Sequence, residues 1–297
     1  MKLSLFSVSY AGLWGQDRLG LEDFVRHAKK LGYQGIEIMC KRPHLYPFEF
    51  DAKALKALKK TIKECGLEMA CAAAYTNFTA GSESTEVPLA DLQVSYVKKV
   101  AELADGLDCR LVRVFTGYEH ANAAFKDQWK MCVTGIQACC DAARKYGVTI
   151  GIQNHHDIAV DTKALLELFH DIDRENLGLM VDAWSLHLRG ENIKEAVQLV
   201  SDKMVFSTVA DYVILPRFNY HPALVNYTAK APALVKAVPM GEGVVDYKQY
   251  FDALKKVGYQ GWVSYETCSP LRHGGAIKNI DEYARQFIKY MRQRGYA

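Results

Sequence analysis

No stretch of this 297-residue chain approaches the ~18 consecutive apolar residues of a membrane span, so no transmembrane helix is expected. Basic stripes and polybasic tails are also missing, and the formal net charge is only +3. Nucleic acid and anionic membrane are therefore poor partners. The 8 cysteines show no CxxC spacing; the nearest pairs are Cys139–Cys140 and Cys65 with Cys71. That excludes a zinc ribbon and a disulfide framework, and points to free, mostly buried thiols in a reducing cytoplasm. A GxGxxG fingerprint is missing where a dinucleotide-binding sheet carries one: the residues after the first apolar run read "SVSYAGLWGQ". The opening "MKLSLFSVSYAG" is interrupted by Ser4, Ser7 and Ser9, and fits a first strand better than a leader.

What is present is repetition of a type. Short apolar runs at Leu3–Val8, Gly35–Met39, Leu67–Ala73, Leu111–Phe115, Val148–Gln153, Leu177–Asp182, Met204–Val209 and Gly261–Glu266 alternate with amphipathic segments such as "LEDFVRHAKKLG". Gly32, Gly66, Gly147 and Gly258 stand where helices should end, just before the next run. Eight such units at about 37 residues each predict a (β/α)₈ TIM barrel, residues 1–297 forming one domain. One connection is abnormal. Asp211 to Gly243, after the seventh strand, holds four prolines and no sustained helical period; it is expected to be a long loop on the catalytic face, placed to act as a lid.

In such a barrel the chemistry sits at the C-terminal strand ends. Those ends carry Glu37 on the second strand, Gln153 and Asn154 on the fifth, Asp182 on the sixth and Glu266 on the eighth. Oxygen-bearing side chains converging there suit a hard divalent cation. His155, His156 and His187 are near enough in sequence to serve as ligands or proton carriers. Each has a plainer reading: Glu37 as a structural acid, Asp182 as the cap of the following helix, Arg217 as a surface residue of the long loop. Tyr10, Trp14, Tyr46, Tyr75, Phe78, Tyr118 and Trp184 are expected to form an aromatic rim suited to polyols.

The stretches "YQGIEIM" (Tyr33–Met39), "VTIGIQNHHD" (Val148–Asp157), "LGLMVDAWSLHLRGEN" (Leu177–Asn192), "PMGEGVVDYKQYFDALKKVGYQGWVSYE" (Pro239–Glu266) and "CSPLRHGG" carry a resemblance covering essentially the whole chain. In that order they resemble the xylose isomerase-like barrels of the sugar phosphate isomerase/epimerase superfamily. The resemblance implies one divalent ion (Mn, Mg, Co or Zn) held by a glutamate, an aspartate, a histidine and a glutamate on strands five to eight. Here Gln153, Asp182 and Glu266 take three of those places. "VFSTVADY" offers Ser207 or Val209 where the histidine is usual, and Asp211 or a histidine is left to complete the set. The implied activity is a metal-dependent isomerase or epimerase acting on a sugar or keto-sugar through an enediolate. Glu266, His155 and His187 are its catalytic candidates, and Glu37, His156, Trp184 and Arg217 its substrate contacts. A dehydratase acting on a keto-sugar or keto-inositol shares the first step, and a non-catalytic sugar-binding barrel is the third reading. Homo-oligomers are expected by analogy alone.

Overall fold

The computed structural model, which describes residues 1–81 and 88–297, closes eight parallel strands into one barrel. They are β1 (Lys2–Phe6), β2 (Gly35–Met39), β3 (Glu68–Ala73), β4 (Leu111–Val114), β5 (Thr149–Gln153), β6 (Leu177–Asp182), β7 (Met204–Val209) and β10 (Trp262–Tyr265). Consecutive strands pair, and β10 closes onto β1 with Leu3 opposite Val263. The barrel expected from the sequence is present. Its strand ends shift by two residues at most; β1 stops at Phe6 because Ser7–Tyr10 coil into a short 3₁₀ turn.

Each helix forms for local reasons. In Leu21–Leu31 the buried residues are Phe24, Val25, Ala28 and Leu31, a single stripe that packs on the barrel wall. Helices starting after Asp51, Asp161, Asn192 and Asp246 begin at a side-chain cap, as in Asp51 Oδ1 accepting from the Ala54 N–H at 2.7 Å. Each cap contributes about 1 kcal/mol. At the other end Gly32, Gly66, Gly147 and Gly258 all take positive φ, as their positions predict.

The long connection expected after β7 is present, and it is built as an antiparallel hairpin, β8 (Asp211–His221) with β9 (Asn226–Val238). Pro216 sits where the register shifts between Leu215 and Arg217, an irregularity that tolerates a residue with no N–H. The hairpin stands away from the barrel: Phe218, Leu224, Val225 and Tyr227 are exposed, while Tyr212, Ala237 and Val238 at its base are buried. No helix among the described residues is long and apolar enough to cross a membrane.

Candidate active site

Period-two alternation builds the site. Leu111, Met180 and Phe206 come from three strands and pack together with Cys71, a contact possible only inside the barrel. One inward step further along each strand stands a polar residue: Arg113 on β4, Asp182 on β6, Thr208 on β7. An apolar plug thus floors a polar layer. The inward residue of β7 is Thr208, not Ser207 or Val209, because the Ser207 hydroxyl turns outward to meet the Tyr250 hydroxyl at 2.8 Å. Thr208 is fully buried, and its hydroxyl has no partner among the described residues.

Above this layer opens a cavity of about 450 Å³. Of the sequence candidates, Gln153, His155, His156, Asp182, Trp184 and Glu266 line it. Three do not. Glu37 is fully buried with its Oε1 3.7 Å from Arg113 Nη1, so it faces a cation rather than the cavity. His187 stacks behind Trp184 at a centroid distance of 5.8 Å. Arg217 lies out on the hairpin, where its Nη1 donates to the Pro232 carbonyl. The expected aromatic rim is reduced to Trp14, Tyr75, Tyr118 and Trp184, joined by Phe6, Phe115 and Tyr212. Tyr10 and Phe78 are core residues, and Tyr46 packs against Phe48.

Arg113 is the residue that the strand-end reading passes over. It is 2 % exposed and lines the cavity. Its Nη1 donates to Gln153 Oε1 at 3.1 Å, and its guanidinium carbon lies 4.8 Å from the Tyr75 ring centroid and 4.3 Å from that of Phe115. The available signal was a lone charge inside "LVRVF", since a buried arginine must be paired or used.

Three buried carboxyls feel the Arg113 charge, and Lys41 also lines the cavity. Burial pushes Asp182 up to about 6, Glu37 to about 7 and Glu266 to about 8. Glu37 and Asp182 add to the rise at Glu266, while the Cys268 thiol and Arg113 oppose it. Asp182 also caps the helix Ala183–Leu188, one oxygen accepting from the Trp184 N–H at 3.0 Å and the other from the Ser185 hydroxyl at 2.9 Å. Asn154, the residue after β5, clasps the backbone of Asp182, accepting from its N–H at 2.6 Å. His155 and His156 stand at the mouth. The His156 N–H donates to His155 Nδ1 at 2.8 Å, which leaves Nε2 of a neutral His155 carrying the proton. Desolvation in the crowded mouth, followed by neighbouring positive charge, lowers His155 to about 4 and His156 to about 3.

The implied divalent ion does not fit this arrangement. The Gln153 oxygen accepts from Arg113, so an ion held there would lie against a guanidinium, and each Asp182 oxygen already has one lone pair committed to the helix cap. The strand-seven position offers only the Thr208 hydroxyl. Asp211, the spare candidate, accepts from the N–H groups of Tyr212, Gly241 and Gly243. Among the described residues, no three His, Cys, Asp or Glu side chains gather to hold a metal. A guanidinium fixed beside Gln153 would also repel a second cation.

Known proteins resemble the chain throughout its length. It is 25% identical over 248 residues to the inosose dehydratase of Geobacillus thermodenitrificans, covering 83% of this chain and 72% of that one. It is 23% identical over 245 residues to the L-ribulose-5-phosphate 3-epimerase UlaE of Salmonella paratyphi A, covering 80% and 78%. A crystal structure of the IOLI protein with a binding zinc atom superposes with a TM-score of 0.75 at 19% identity, covering 97% and 96%. Residues 25–294 match the family described as Xylose isomerase-like TIM barrel. The closed barrel, its acid-tipped strands and that match agree, and the chain belongs to the xylose isomerase-like TIM barrel family.

Proposed function

We propose that this chain is an enzyme that removes a proton next to the carbonyl of a sugar or keto-sugar and returns it as an isomerase or epimerase does. The observation that carries the reading is Glu266, a buried carboxyl at the wall of an aromatic-sided cavity that also holds Arg113. Burial raises that carboxyl to about 8, so its ionised form is a stronger base than an exposed carboxylate, and aromatic faces such as Trp184 and Tyr118 suit the C–H faces of a polyol. His155, with a proton on Nε2, is a donor at the mouth for a substrate hydroxyl.

Dehydration of a keto-sugar or keto-inositol is the second reading. Gln153 cannot take a proton, and both Asp182 oxygens are engaged, so Glu266 is the carboxyl best placed to act alone. Elimination needs one base that later gives its proton to the departing hydroxyl, and the resemblance to an inosose dehydratase supports it. Proton NMR in D₂O, with a panel of ketoses and keto-inositols, tests both. Loss of the α-proton signal supports the common step; a rearranged sugar then identifies the first reading and a conjugated enone the second. A panel that binds without exchange would favour the sugar-binding barrel.

A further inference from the structure

We propose that Arg113 is the electrophile of this cavity: its guanidinium takes the substrate's carbonyl oxygen and holds the charge that develops there, without a divalent ion. The proposal rests on the proton-abstraction reading above and assigns the partner that Glu266 needs.

Arg113 is almost fully buried, and among the described residues Nη1 meets Gln153 while Nε and Nη2 have no hydrogen-bond partner. Arg113 lines the cavity, and buried donors without a partner call for an acceptor, such as a carbonyl oxygen. The guanidinium is also held in place. Phe6, Tyr75 and Phe115 surround it with their rings, while Glu37 and Gln153 meet Nη1. A fixed cation in a dry pocket stabilises a developing oxyanion without having to reorient. Glu37 and Gln153 are its positioning residues.

The step balances. The Glu266 carboxylate takes the α-proton, the C–H pair becomes a carbon–carbon double bond, and the carbonyl π pair moves onto the oxygen facing Arg113. Glu266 then returns the proton to the adjacent carbon while the hydroxyl proton passes between the two oxygens, completing an isomerisation. Alternatively it gives the proton to a β-hydroxyl, which leaves as water as the carbonyl reforms.

The test uses the full chain after chelation with EDTA and desalting into metal-free buffer. Two probes are titrated by calorimetry: Mn²⁺ alone, and oxalate, a planar dianion shaped like an enediolate. α-Proton exchange is followed alongside. The expected result is no stoichiometric Mn²⁺ binding, oxalate binding by the chelated protein, and exchange that survives chelation. Arg113→Lys keeps the charge but loses the planar fork; it should weaken oxalate at least tenfold and slow exchange by roughly 100-fold. Stoichiometric Mn²⁺ binding lost in Asp182→Asn, oxalate binding that requires Mn²⁺, or exchange abolished by chelation and restored by Mn²⁺ would each overturn the proposal. If no sugar exchanges at all, the proton-abstraction reading fails, while the Mn²⁺ and oxalate titrations still decide whether Arg113 is the anion site.

Discussion

Arg113 Nη1 donates to Gln153 Oε1 at 3.1 Å and lies 3.7 Å from Glu37 Oε1, so one guanidinium ties together side chains from β2, β4 and β5. The pairing makes each residue's behaviour depend on the other two. It also separates the chemistry of Glu266 from the stability of the polar layer, and the two can be measured apart.

Glu266→Gln should retain the fold and lose the reaction. Glutamine nearly matches the buried carboxyl in shape, so the melting temperature should not fall. α-Proton exchange should drop by about 10²–10⁴-fold, the usual contribution of a positioned base. NMR exchange rates beside a thermal melt would check both halves; retained exchange would remove Glu266 from its role.

Arg113→Met removes the cation that lowers Glu37, an acid already raised to about 7, so the variant should lose stability increasingly as pH rises and that buried acid must ionise unpaired. Adding Glu37→Gln to that variant should recover a large part of the loss, because the orphaned acid is then gone. Urea denaturation of both single variants and the double variant gives the coupling. A double variant no more stable than Arg113→Met would mean that the pair is not coupled.

Asp211 gathers three backbone N–H groups at the base of the hairpin, including Gly243 at 2.9 Å. Asp211→Ala should therefore destabilise by about 1–3 kcal/mol. Gly243→Ala attacks the same clasp from the other side, since a Cβ there would come within 2.0 Å of Asp211 Oδ1 and 2.5 Å of the Tyr212 carbonyl. It should cost a similar amount, and the double variant should cost less than the sum. Chemical denaturation is sufficient to test this; strict additivity would count against a shared clasp.

His44 sets an acid limit on stability. It is 4 % exposed, its Nε2–H donates to the Leu19 carbonyl at 3.2 Å, and burial lowers it to about 4. The unfolded chain takes up that proton at about pH 6.5, before the folded one does. Its contribution is full above pH 6.5 and is lost as pH falls toward 4, on the order of 3 kcal/mol in all. His44→Gln should flatten the stability curve over that window relative to wild type. Parallel curves for the two proteins would refute the assignment.

The fold was readable because its signals are local. Apolar runs, caps such as Asp51 and terminating glycines such as Gly32 each need only a few neighbouring residues. Asp182 and Glu266 were readable too, as acids at the ends of apolar runs. Arg113 was not, because nothing beside it in sequence says what it meets; Glu37 and Gln153 reach it only when the barrel closes. The hairpin escaped for a different reason. Pro216, Pro222 and Pro232 look like loop punctuation, and its strands have no buried face along most of their length to produce an apolar alternation.

The guanidinium also constrains how this cavity can be redesigned. Restoring a carboxylate at position 153 by Gln153→Glu would hand Arg113 a stronger partner, and the new acid would be consumed in an ion pair. Thr208→His would then add an imidazole to a polar layer that already holds the Arg113 guanidinium. Conversion to a metal centre must begin by removing Arg113, at the cost of stranding Glu37. The order of substitutions, and not only their identity, decides which chemistries this barrel can reach.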